Sequence, residues 1–271
     1  MNEKKTSAFR TIEVSNPRYE RDGLRFLTVK TQHLRGRGDI CLFVPSENDG
    51  LKNLPIYILL HGVYGSAWSW PWQGGAHLTT QKLISEGAMP PAILAMPSDG
   101  LWGDGSGYLS HHRRRFGEWI VSDVPAAIRE SIPQASAASP LCIGGLSMGG
   151  YGALILGSKY PKRFRAIATH SAITRFSEME QFVEEPILTY QPLKPAPDVI
   201  DLLRINRNKL PPLRFDCGVQ DPLLEGNRLL HQQLEKRNIP HQYEEFPGGH
   251  EWSYWQQHLE STLHFFAEAS Q

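Results

Sequence analysis

The chain is poor in cysteine, has no surplus charge of either sign, and lacks any long apolar run. Its 271 residues include three cysteines, at 41, 142 and 217, with no Cys-x-x-Cys spacing. Cys142 and Cys217 lie in apolar runs that read as buried strands, so free thiols in a reducing compartment are expected, not a disulfide framework. Lys plus Arg number 28, as do Asp plus Glu. A balanced chain has no global field to draw it to nucleic acid or to a membrane surface. No stretch approaches the length needed to span a bilayer, and Met1–Ser7 lacks an apolar signal core. No histidine pair has zinc spacing with a third ligand, and there is no repeat or heptad. These absences predict a cytoplasmic protein with no metal or other cofactor and no nucleic-acid or membrane partner. Self-association stays open.

Short β-like runs recur at 25–30, 40–45, 56–61, 92–97, 141–145, 166–170, 213–219 and 241–246. Helical spacing occupies 77–86, 118–132, 149–158, 225–236 and 251–267 between and after them. Strands alternating with helices predict an α/β fold with a mostly parallel sheet covered on both faces. The length suits one domain over 1–271. One stretch resists the pattern: 173–212 separates two strand candidates and is proline-rich from Pro186 onward. It reads as a cap or lid insert, or equally as a loosely helical surface excursion.

The most telling segment is Leu141-Cys-Ile-Gly-Gly145-Leu-Ser147-Met-Gly149-Gly-Tyr-Gly152. An apolar run breaks into Gly-x-Ser-x-Gly and resumes as a helix start, which is the pattern of a nucleophile elbow. A Cβ at Gly145 or Gly149 would collide with neighbouring backbone at so tight a bend. A serine hydroxyl needs a general base, and histidine, with an unperturbed pKa of about 6.5, can take its proton near neutrality. A carboxylate must then hold the imidazole tautomer and stabilise the imidazolium.

In this fold the chain order is nucleophile, acid, base. Asp221 falls just past the 213–219 run, on the turn before a helix, and is the candidate acid. Asp216 lies inside the apolar run and should point elsewhere. His250, on the Gly-Gly-His loop after the last strand, is the candidate base. His33, His231, His241, His258 and His264 read as surface or capped residues.

The oxyanion of a tetrahedral intermediate needs two preorganised donors. The Met148 amide supplies one, and Gly62 turns the backbone so that the Val63 amide supplies the other, with Tyr64 as runner-up. Trp68 and Trp70 follow that loop and Trp252 follows the base, so these three are expected to wall a compact apolar pocket. The run His111–Arg115 reads as a solvated loop, or as a contact for an anionic substrate group. Asp99–Gly107 lacks the ligand spacing of a calcium loop and leads into no helix, so it reads as a flexible loop on the substrate side.

These residues together resemble the putative-esterase family of α/β-hydrolases, which includes S-formylglutathione hydrolases, tributyrin and feruloyl esterases and mycolyltransferases. The resemblance runs from about Tyr57 to Phe266. It rests on Leu60-His61-Gly62 with Gly65, Gly145–Gly152, Gly218-x-x-Asp221 and Pro247-Gly-Gly-His250-x-Trp252. It implies an α/β-hydrolase with Ser147 as nucleophile, Asp221 as acid, His250 as base and the Val63 and Met148 amides as oxyanion donors. The activity expected is serine carboxylesterase, acting on small or medium acyl esters through an acyl-enzyme. Acyl transfer by the same residues and a non-catalytic binding module are the alternatives.

Overall fold

The apolar runs become strands because only a covered sheet can hide them. A computed structural model describes residues 7–45, 50–190, 196 and 198–271. Its strands are β1 (Ile12–Val14), β2 (Leu24–Thr31), β3 (Gly36–Phe43), β4 (Ile56–Leu60), β5 (Ile93–Pro97), β6 (Ser110–His111), β7 (Arg114–Arg115), β8 (Leu141–Leu146), β9 (Ile167–His170), β10 (Leu213–Gly218) and β11 (Gln242–Phe246). All but β6 and β7 form one nine-stranded sheet ordered β1-β2-β3-β5-β4-β8-β9-β10-β11. β1, β2 and β3 pair antiparallel, as β3 does with β5, and every pairing from β5 to β11 is parallel.

Every residue of β4, β5, β8, β9 and β10 is buried, which is why β4, β5 and β8 are apolar throughout; β9 and β10 also bury Thr169, His170, Arg214 and Asp216. Along β4 the pleat divides them: Ile56, Ile58 and Leu60 enter one core, Tyr57 and Leu59 the other. Helix α5 (Met148–Lys159) lies over the first core and α8 (Trp252–Ala269) over the second. The remaining helices are α1 (Ser69–Trp72), α2 (Ala76–Ser85), α3 (Phe116–Glu118), α4 (Val124–Ser131), α6 (Val199–Asn206) and α7 (Leu224–Glu235). Order, direction and covering are those of the α/β-hydrolase fold.

Three local expectations need correction. The helix expected over 118–132 is broken into α3, a π-helical turn (Trp119–Asp123) and α4. Pro125 has no N–H to give the Val121 carbonyl, so the ladder widens there; Arg163 Nη1 takes that carbonyl instead, at 3.1 Å. The run His111–Arg115 is not an irregular loop but the β6–β7 hairpin. Residues 99–107 are not a free loop either, because the Asp99 carboxylate accepts the amides of Leu101 at 2.8 Å and Ser106 at 2.6 Å.

Within 173–212 lie 3₁₀ turns at Phe176–Gln181 and Ile187–Tyr190, and then α6. Much of the proline-rich part, 191–195 and 197, lies outside the described residues, as do 1–6 of the amino-terminal segment.

Candidate active site

The order β5-β4-β8 sends the chain leaving β4 one way and the chain leaving β8 the other. A crevice opens where neighbouring parallel strands diverge in this way, at their carboxyl ends. The loop from Leu60 and the turn from Leu146 therefore meet at one place.

On the β8 side, Ser147 sits between strand and helix with φ 53° and ψ −121°. That region is costly for a residue with a Cβ, by about 1–3 kcal/mol. The surroundings hold it there: the Ser147 amide donates to the His170 carbonyl at 3.1 Å, and its carbonyl accepts from Ile173 at 3.2 Å. The bend is close-packed as well. A Cβ on Gly145 would lie 2.5 Å from the Gly149 carbonyl oxygen, and one on Gly149 would overlap that of Leu60.

His250 Nε2 lies 2.9 Å from Ser147 Oγ. On its far side, Nδ1 lies 2.9 and 3.1 Å from the two oxygens of Asp221. The Asp221 carboxylate is wholly shielded from solvent and also accepts the Leu223 amide at 2.8 Å. With the carboxylate on Nδ1, the proton belongs on that nitrogen and Nε2 is left to accept from the serine. The loops carrying the two residues are stitched together: Gln220 N donates to the Gly248 carbonyl at 2.9 Å, and Gly248 N to Gln220 Oε1 at 2.6 Å.

On the β4 side, Gly62 packs over Ser147; a Cβ there would come within 3.3 Å of Ser147 Cβ and 3.1 Å of Leu146 Cδ1. Met148 is the first residue of α5, so its N–H has no intrahelical acceptor. Val63 occupies the turn directly after Gly62. Tyr64 is corrected as the runner-up donor: its amide is already given to the Asp104 carbonyl at 2.7 Å. Among the described residues no group of three His, Cys, Asp or Glu is placed to hold a metal.

The model of the Putative esterase family matches residues 31–266. This chain belongs to that family. An acetyl esterase of Caldicellulosiruptor saccharolyticus is 26% identical over 238 residues, 81% of this chain and 85% of the relative. A ferulic acid esterase structure superposes with a TM-score of 0.79 at 21% identity, over 97% of this chain and 100% of the other. An S-formylglutathione hydrolase from Staphylococcus aureus superposes at 0.76 and 18% identity, over 94% and 99%. The two structures establish the shared fold. The protein is a serine-type carboxylic ester hydrolase.

Around this esterase's site the tryptophans divide. Trp68, just after the turn that follows β4, is exposed, at 45% of its surface. Trp70 is buried and gives its indole N–H to the Leu60 carbonyl at 3.1 Å, so it supports the loop from below and walls no pocket. Its ring meets Trp252 edge-on at 5.6 Å, Trp252 meets Trp255 at 5.3 Å, and Trp255 meets the His250 ring at 5.0 Å. Phe182 stacks on the His250 ring at 5.1 Å. Sequence reading did not assign a role to Trp255 or Phe182. Trp255 lies five residues after His250, in the first turn of α8; nothing in the chain marks Phe182.

His61 was also passed over. Its buried ring lies with Nδ1 2.7 Å from the Gly62 carbonyl, to which it donates, and accepts the Asp99 amide on Nε2 at 3.0 Å. Its own carbonyl accepts from Tyr108 Oη at 3.0 Å. The turn after β4 is thereby tied to the 99–108 segment, and Asp104 ties that segment to Glu184 at 2.7 Å and to Glu185 at 3.1 Å.

Asp216, set aside as the acid, faces a second buried cluster. It meets His170 Nδ1 at 2.9 Å, Arg214 Nη1 at 2.6 Å and Tyr254 Oη at 3.0 Å, while His170 Nε2 lies 3.0 Å from Thr262 Oγ1. Burial pushes the Asp216 carboxyl up, but attraction and hydrogen bonds from His170 and Arg214 outweigh it and leave the group below its ordinary value.

Proposed function

We propose that Ser147 is the nucleophile, His250 the general base and Asp221 the orienting acid of an esterase acting through an acyl-enzyme. The observation that carries this reading is the unbroken relay of 2.9 Å from Oγ to Nε2 and 2.9 Å from Nδ1 to the carboxylate. Ser147 Oγ attacks the ester carbonyl while His250 takes its proton. The negative carbonyl oxygen turns to the Val63 and Met148 amides. The imidazolium returns its proton to the departing alcohol. Water, deprotonated by the same imidazole, then releases the acid and restores the serine.

The acyl group is small to medium. The acetyl esterase among the relatives supports a short acyl chain, and the aromatic surroundings of His250 support an apolar one. Trp68 and Trp252 contact it from the oxyanion side. The chain acts as one α/β-hydrolase domain, with 173–190 supplying the wall that carries Phe182. Three buried free cysteines support a reducing compartment such as the cytoplasm.

A fluorophosphonate probe and a p-nitrophenyl ester series from acetyl to decanoyl test the reading. Peptide mass mapping should place the probe on Ser147, with labelling abolished in Ser147→Ala and slowed at least ~10³-fold in His250→Ala. Labelling elsewhere, or a preference for decanoyl over acetyl and butyryl, would overturn it.

A further inference from the structure

A groove of about 1520 Å³ is lined by none of Ser147, Asp221, His250 or Val63. Its walls are the chain before β1, the β2–β3 turn and the β6–β7 hairpin, closed at one end by Leu188 and Thr189. Arg10, Lys30, Arg35, Arg113, Arg114 and Arg115 line it, and none of them enters an ion pair among the described residues. The one lining carboxylate, Asp123, is already engaged: it accepts from the Thr31 hydroxyl and lies 2.8 Å from His33 Nδ1. Six like charges around one concavity of a chain with no net charge repel one another and focus a positive potential into it.

The hairpin points the same way. Only His112 and Arg113 connect β6 to β7, and both have positive φ, 46° and 60°. A connection of this kind ordinarily takes Asn-Gly, because bulky side chains are strained there. The strain is held from behind. Trp102 stacks on His112 at 4.8 Å, His111 Nδ1 lies 3.0 Å from His112 Nδ1, and His111 Nε2 lies 2.9 Å from the Ser106 carbonyl. A loop kept in a costly conformation by buried partners, presenting a cation to a charged groove, is preorganised for a ligand.

We propose that this groove is a second binding site, for a small molecule carrying two or more phosphoryl groups. Five of the six cations are arginines, whose planar fork matches paired oxygens on one phosphorus. One or two negative charges would leave most of them unneutralised. The volume exceeds the usual 300–1,000 Å³ of drug-sized pockets, so a molecule with spaced phosphoryl groups can be accommodated.

Titration calorimetry of the full chain with inorganic tripolyphosphate, at about 0.15 M ionic strength, tests this. One-to-one binding is expected, weakening steeply at 0.5 M salt. Arg113→Ala/Arg115→Ala should raise Kd at least tenfold, and Arg35→Ala, on the β2–β3 turn, should raise it as well, both with unchanged melting temperatures. Lys substitutions at 113 and 115 should lose less, because charge survives without the fork. Ser147→Ala should bind as the wild type does. The proposal falls if no binding occurs at 0.15 M, or if both sets of Ala variants bind normally. It falls equally if citrate or a ten-nucleotide single strand binds more tightly than tripolyphosphate.

Discussion

At the scale of single residues, two kinds of side chain serve the site: those that meet the reacting atoms and those that hold the first kind still. Ser147→Ala removes the attacking oxygen and should lower kcat at least ~10⁴-fold with little change in melting temperature, measured on a short-chain ester. His61 belongs to the second kind. Its loss strands the Asp99 amide, a buried group costing about 1–3 kcal/mol when unpaired, leaves the Gly62 carbonyl only the Gly65 amide at 3.3 Å, and lets the Val63 amide drift. His61→Ala should therefore reduce kcat by roughly 10–100-fold while KM moves little, because an oxyanion contact acts mainly in the transition state. A KM effect alone would show that the loop holds substrate and not the developing charge. Gly149→Ala should damage both stability and activity, since the new Cβ overlaps the Leu60 carbonyl that borders the same loop.

At the scale of elements, β9, β10 and α8 are locked together by the buried Asp216 cluster, and His170 of that cluster also holds the Ser147 amide with its carbonyl. Removing the charge with Asp216→Asn leaves His170 buried beside a neutral partner and Arg214 with only the half-exposed Glu244, 2.9 Å from its Nη2. Breaking a buried pair this way costs about 3–5 kcal/mol, or a melting temperature lower by about 10 °C for a chain of this size. The pH dependence has a definite sign. A carboxylate held below its unfolded value of about 3.9 stabilises the fold above that value and loses the contribution as pH falls through the lower, folded one. Urea unfolding should therefore show the wild type losing more stability between pH 5 and pH 3 than Asp216→Asn does. Equal losses would mean that Asp216 is not the group that titrates.

At the scale of the whole molecule, the same burial that hides the core silences the thiols. Burial pushes Cys41 and Cys142 up to about 12, so neither ionises near neutral pH. A disulfide-exchange reagent should titrate no thiol in the native protein and three after unfolding. The folded sheet also explains which parts were readable in the chain. Strands sealed on both faces must be apolar wherever no buried partner meets a polar group, so β4, β5 and β8 announced themselves, and a tight bend between strand and helix must have glycine at Gly145 and Gly149. The order of serine, aspartate and histidine along the chain, with each just beyond a strand, is likewise a one-dimensional signal. What the chain by itself determined was thus the fold and the three residues proposed for the chemistry, because each is bound to a local pattern that the backbone enforces. Only the tertiary structure decided that Tyr64 gives its amide to Asp104, that Trp70 supports a loop, that Pro125 opens a helix, and that cations from three separated segments face one groove. Those outcomes depend on partners distant in sequence, brought together by sheet order and by the two faces on which helices pack, and no spacing along the chain encodes them.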